Sequence, residues 1–239
     1  YHSYVLPRPK EDTDRAIRRN AQDILREFVM TFVSFFAKKQ IIIAVLFLLL
    51  FRLPEALLTP VSQLFLQALP SKGGLGLSPQ EFGLVNGTVG VIGFLVGGII
   101  GGMLISRDGL KKWLWPMTLA ITIPNLTYVY LAYVMPENLM LINVCVAIEN
   151  LGYGFGFSAY MLFMIYFSQG EHKTSHYALC TGLMALSMML PGLFAGALAQ
   201  AAGYRLFFII VMISCLLPFC IASFLKIDAN FGKKEREEE

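Results

Sequence analysis

From residue 41 onward the chain alternates long apolar runs with short clusters of polar and charged residues. A hydrocarbon core of about 30 Å is crossed by about 20 apolar residues in a helix, and several of these runs reach that length. The pattern predicts six spans, at Ile41 to Leu66, Glu81 to Ile105, Trp113 to Met135, Leu139 to Phe167, Tyr177 to Ala202 and Tyr204 to Leu225. Lipid offers backbone groups no hydrogen bonds, so a spanning segment is a helix or a barrel strand. Barrel strands would be about 10 residues of alternating polarity, which these runs are not. The expected fold is therefore all-α, with kinks where Pro54, Pro124, Pro191 and Pro218 fall inside spans.

Ahead of the first span the period changes. Ile17, Ala21, Ile24, Phe28, Phe32 and Phe35 recur at steps of three and four, while Arg18, Arg19, Gln22, Asp23 and Arg26 take other faces, which predicts an amphipathic helix lying on a membrane. The organisation expected is a cytoplasmic linker over residues 1–40, a six-span domain over 41–226 and a charged cytoplasmic tail over 227–239, solvated from Asp228 onward. The polar start at Tyr1 carries no signal-peptide pattern, and the chain reads as a piece of something longer.

Composition sharpens the class. Hydrophobic residues make up 56% and charged ones 15%, too few charges for the surface of a soluble domain. The net charge of +3 is explained by orientation, since sixteen of the nineteen Lys and Arg fall on one side of the predicted topology. Cytoplasmic loops hold that excess, which places both termini in the cytoplasm. Nucleic acid is accordingly excluded as a partner, and the lipid bilayer is implied. Cys145, Cys180, Cys215 and Cys220 have no metal-like spacing, and the His172/His176 pair lacks the glutamate of a zinc hydrolase. No enzyme and no cofactor is expected.

Ionisable residues within spans are costly and default to functional candidates. They are Arg52 and Glu55 in the first span and Glu149 in the fourth. If six spans are two inverted three-span repeats, the first and fourth are equivalents. At 1.5 Å per residue Glu55 lies roughly 21 Å from the start of its span and Glu149 about 15 Å from the opposite start of its own, both near the midplane. Polar company follows at helical steps: Thr59, Ser62 and Gln63 with Glu55, and Asn150, Tyr153, Gly156 and Tyr160 with Glu149. The plainer alternatives are that Arg52 and Glu55 form a structural pair and that the tyrosines and glycines pack helices. Thr118, Thr122 and Asn125 form a second polar set read as interhelical bonding, with Asn86 alone in the second span. Gly152, Gly154 and Gly156 either loosen the fourth helix or admit a ligand to its backbone.

The loop Gly102, Met103, Leu104, Ile105, Ser106, Arg107, Asp108, Gly109, Leu110, Lys111, Lys112 resembles the signature loop of the major facilitator superfamily, with Ser106 in place of its acidic residue and Leu110 in place of a basic one. By that resemblance Gly102, Arg107, Gly109 and Lys111 belong to a gating loop. The stretch Leu50 to Ala56 and the segment Glu149 to Met161 resemble the seventh and tenth spans of muropeptide permeases of the AmpG type. The resemblance covers about residues 38 to 225. It implies the carboxy-terminal six-span half (3+3 inverted repeat) of a bacterial inner-membrane symporter carrying anhydromuropeptides and protons for cell-wall recycling, with an amino-terminal half as partner. Glu149, which has no ionic partner close in sequence, and Glu55 are then the proton-coupling candidates. Arg52, Thr59, Ser62, Gln63, Asn150, Tyr153 and Tyr160 are the solute-binding ones. Acetyl-coenzyme A transporters of the same wider family, and a non-transporting scaffold or truncated half, stay open as alternatives.

Overall fold

The computed structural model describes residues 21–228 and 230–233, and every regular element among them is a helix. Ile17, Arg18 and Arg19 lie outside the described residues. The chain divides into two compact units, Tyr1–Ile41 and Ile42–Glu239. In the first, Ala21–Phe36 form helix α1, which leaves Val29, Met30, Val33 and Phe36 exposed.

Among the described residues five helical stretches are long and apolar enough to cross a membrane: Ile41–Gln67, Pro79–Asp108, Leu110–Val134, Leu139–Ser168 and Lys173–Phe224. The chain is thus an all-α, multi-pass membrane-type bundle. The fifth stretch contains both of the last two predicted spans. It runs for 52 residues and is interrupted at Gly203, whose φ of 74° and ψ of 158° no helix accommodates.

Proline sets the interruptions elsewhere, because it has no N–H for the carbonyl four residues earlier. In the first stretch α2 (Ile41–Leu50) stops and α3 (Leu53–Gln67) starts around Arg52, two residues before Pro54. The second begins with a capping box in which Ser78 and Glu81 bond reciprocally around the short α4 (Pro79–Phe82). A π-helical segment, Gly83–Gly90, then leads into α5 (Val91–Asp108). In the third, α6 (Leu110–Thr122) and α7 (Leu126–Val134) are separated by a 3₁₀ turn, Ile123–Asn125, centred on Pro124. The fourth is one unbroken helix, α8 (Leu139–Ser168). In the fifth, α9 (Lys173–Ser214) gives way to α10 (Leu216–Phe224) at Cys215, three residues before Pro218.

Helix α8 packs between α5 and α6, and glycine lets the backbones meet. A Cβ at Gly97 would run into the Leu151 carbonyl, one at Gly154 into the Phe94 carbonyl, and one at Gly152 into the Ala120 carbonyl. Small residues at such faces are how helices associate where lipid removes the hydrophobic drive between them. The glycines of α8 therefore neither loosen the helix nor open its backbone to a ligand; they seat it against two neighbours. On the other side α3 lies along α9, and Phe65, Tyr128, Phe207 and Phe208 fill the core.

After α10 the chain turns back over the bundle. The Leu110 N–H, which as the first residue of α6 has no intrahelical acceptor, donates to the Phe231 carbonyl at 2.9 Å. The Phe231 ring meets Tyr166 of α8 edge-on with centroids 4.9 Å apart. For Phe231 this corrects the expectation of a tail solvated from Asp228 onward; residues 234–239 lie outside the described residues. A donor at a helix start and an aromatic ring at a helix end give residues 230–233 a docking place that no periodicity announces.

Candidate functional site

The first and fourth stretches place their acids on one cavity. Glu55 lies in the first turn of α3 and is 2% exposed, and Glu149, about three turns into α8, is 6% exposed. Both line a cavity of about 250 Å³, together with Thr59, Ser62 and Gln63 of α3 and Asn150 and Tyr153 of α8. Asn86 of the π-helical segment, Phe94 of α5 and Tyr128 of α7 complete the wall. Among the described residues, no Lys, Arg or His lines the cavity.

Each acid is held by an amide. The Asn125 Nδ2 donates to Glu55 Oε1 at 3.2 Å, across 70 residues of sequence. The Asn150 Nδ2 donates to Glu149 Oε2 at 2.7 Å and to the Val146 carbonyl at 3.0 Å. Asn125 reaches Glu55 because the Pro124 turn carries it off the helical path, and its Nδ2 also lies 3.8 Å from Cys215 Sγ at the break of the fifth stretch. Three proline-associated interruptions, at Arg52, Asn125 and Cys215, thus meet beside Glu55. A charged carboxyl loses far more than a neutral one on leaving water, so proton occupancy at these two groups depends on whether the cavity is wet.

Arg52 and Glu55 are not paired. The Arg52 Nη2 donates to the Tyr153 hydroxyl, and the guanidinium lies 4.7 Å from the centroid of Phe157 and 5.8 Å from that of Tyr160. The structural ion pair suggested by their three-residue spacing gives way to an aromatic cage, because the break before Pro54 turns Arg52 towards α8. Tyr160 is set back from the cavity. Its ring is fully buried, and its hydroxyl donates to the Leu48 carbonyl at 2.7 Å, an acceptor that the end of α2 leaves without its helical donor. Ser62 donates to the Thr59 carbonyl at 3.0 Å, and Thr118 and Thr122 to carbonyls one turn back, at 2.7 Å each.

The loop between the second and third stretches lies apart from this cavity. Gly109 takes a φ of 90°, which reverses the chain between α5 and α6, and a side chain there would be strained. Arg107 and Lys111 are exposed, and a Cβ at Gly102 would meet open space. Asp108 organises the loop. It accepts from the Trp113 indole at 3.0 Å and lies 3.2 Å from Lys112 Nζ and 3.9 Å from Arg107 Nε.

Of the residues of these sites, Asn125 and Asn86 were ranked low and Tyr128, Phe94 and Asp108 were not singled out from the sequence. Asn125 and Tyr128 share a helical step beyond Pro124, and that spacing is the signal that could have singled them out.

Comparison with known proteins gives distant homology. The chain is 26% identical over 192 residues to a protein named putative transporter AmpG 1 of Rickettsia prowazekii, covering 80% of this chain and 41% of that protein. It is 26% identical over 176 residues to the anhydromuropeptide permease of Escherichia coli K12, covering 74% and 35%. An uncharacterised protein of Haemophilus influenzae is 24% identical over 214 residues, covering 86% and 48%. No family model matches the chain. The chain spans between a third and a half of the length of the relatives it matches. This distant homology points towards a transporter superfamily, and the apolar stretches are of a kind that crosses a lipid bilayer.

Proposed function

We propose that this chain is the carboxy-terminal, six-span (3+3) half of a proton-coupled symporter that imports anhydromuropeptides by alternating access. The observation that carries the reading is the pair of buried acids, Glu55 and Glu149, drawn from the first and fourth stretches onto one cavity without a basic residue in its lining. Secondary transporters bind cargo and coupling ions near the midplane, at the interface of repeats.

The six-span count treats the fifth stretch as two spans divided at Gly203. At 1.5 Å per residue an unbroken helix of that length would measure about 78 Å, more than twice a bilayer core. In this reading residues 1–40 are a cytoplasmic linker, residues 227–239 a cytoplasmic tail, and the membrane is the bacterial inner one. Glu149, which lies on the unbroken α8 away from Arg52 in sequence, carries the coupled proton, and Glu55 shares the task. Thr59, Ser62, Gln63, Asn86 and Asn150 offer hydroxyls and amides to a hydroxyl-rich cargo, and Tyr153 offers a flat face to a sugar ring. Gly102, Arg107, Gly109 and Lys111 work with Asp108 at the cytoplasmic gate.

The cavity volume fits a half-site. Ligand pockets run from about 300 to 1,000 Å³, and a disaccharide bearing a peptide needs the opposite wall that an amino-terminal half provides. The lining also bears on the acetyl-coenzyme A alternative, because a polyphosphate cargo calls for Lys or Arg and finds two carboxyls here. The test is the full-length protein in membrane vesicles. Glu149→Gln is expected to keep exchange of labelled anhydromuropeptide across the membrane while losing accumulation driven by an inward proton gradient. Accumulation equal to that of the unaltered protein removes Glu149 from the mechanism.

A further inference from the structure

Arg52 stands at the interruption between α2 and α3, one turn ahead of Glu55, and is 6% exposed. Arg52 caps the first turn of α3, its carbonyl accepting from the Ala56 N–H at 2.9 Å, and Tyr153, which takes its guanidinium, lines the same cavity as Glu55. The guanidinium instead bonds the Tyr153 hydroxyl on α8, and its Nε is buried with no acceptor. A neutral phenol is a weaker acceptor than a carboxylate, and an unmet N–H on a buried cation is costly. Arg52 is thus held by a weaker acceptor than the Glu55 carboxylate in the wall of the same cavity.

We propose that Tyr153 is a positioning residue for coupling: it holds Arg52 while Glu55 is protonated and yields it when Glu55 is ionised. The proposal rests on the proton-coupled reading above. Arg52 stays charged throughout. Glu55 gives its proton to cavity water, the N–H···O bond to Tyr153 breaks, and one to the carboxylate forms. The groups facing Glu55 are Arg52 on its own stretch, Asn125 and Tyr128 of the third, Glu149 and Tyr153 of the fourth, and Cys215 of the fifth. Among the described residues Arg52 is the cation there, so an ionised Glu55 draws on that side chain. The protonation of a single carboxyl is then read as a contact made or released between α3 and α8, the two helices that carry the acids.

A double-mutant cycle in thermal stability tests this on the full-length protein in lipid nanodiscs near neutral pH. Tyr153→Phe alone lets Arg52 pass to Glu55, and Glu55→Gln alone leaves Arg52 on Tyr153, so each melts within about 2 °C of the unaltered protein. Together they leave a buried guanidinium with no acceptor stronger than the neutral amide oxygen that the glutamine supplies, and the melting point falls by more than the sum of the single losses. Adding Arg52→Gln to the double variant restores that excess. If the double variant fails to fold while both single variants fold, that is the limiting case of the same excess, and the triple variant folds. Additive losses, or a triple variant no better than the double, overturn the proposal. Gradient-driven uptake that persists beside additive losses removes the proposal and leaves the symporter standing. A non-additive cycle in a protein whose uptake ignores the proton gradient removes the coupling role with the symporter reading.

Discussion

Gly156→Ala probes the seam on which the site is built. An added Cβ would lie 2.5 Å from Ile121 Cβ and 2.7 Å from the Met117 carbonyl oxygen, where ordinary contact begins at 3.4 Å. One of these neighbours is backbone, so relief requires α6 and α8 to part by about 0.7 to 0.9 Å; overpacking of this kind costs about 1 to 3 kcal/mol. At about 2–4 °C per kcal/mol for a domain of this size, the melting point falls by roughly 2 to 12 °C. Gly182→Ala is the control, since a Cβ there meets nothing within 4 Å and alanine is the better helix former by about 1 kcal/mol. Thermal melts of the purified protein in one detergent, followed by labelling of buried cysteines, compare the two. Equal melting points would refute the close seating of α8 on α6 and reopen the reading of Gly156 as a loose point in the helix.

Tyr160→Phe removes the donor to the Leu48 carbonyl at the end of α2 and is expected to cost about 1 to 3 kcal/mol; urea or thermal unfolding reads it, with solute affinity unchanged because Tyr160 is set back from the cavity. Phe231→Ala removes a half-buried ring from Tyr166 and is expected to lower stability by about 1 to 2 kcal/mol, and a chain ending at Asp228, which also strips Leu110 of its acceptor, loses more. Topology is read by single cysteines in a Cys220→Ser background: in intact cells an impermeant thiol reagent should label Lys72→Cys and spare Lys111→Cys, and the reverse pattern would invert the orientation.

The apolar stretches were legible because a bilayer demands about 20 apolar residues of any helix that crosses it, and the ends of those stretches in the structure lie within a few residues of the sequence expectation. Glu55 and Glu149 stood out for the same reason, as acids where lipid penalises charge. Pro54 and Pro124 were visible as kinks, but not what the kinks do. Turning Arg52 towards Tyr153 and Asn125 towards Glu55 joins residues 101 and 70 apart, and contacts at that separation leave no periodicity in the chain. The Arg52–Glu55 spacing of three suggested a pair through a helix that Pro54 in fact interrupts. Phe231, read as tail, docks through a backbone carbonyl that carries no sequence signal at all. The glycine steps in α5 and α8 announced close packing, while the choice of neighbour for each glycine, α5 for Gly154 and α6 for Gly152 and Gly156, needed the three-dimensional arrangement.

The central claim is that the cavity of Glu55 and Glu149 belongs to a proton-driven importer. Uptake of a labelled anhydromuropeptide into vesicles containing the full-length protein, measured with and without an imposed inward proton gradient, tests it most directly. The account predicts accumulation that depends on the gradient and collapses with a protonophore. Absence of uptake by protein shown to be folded and inserted, or uptake indifferent to the gradient, would contradict it.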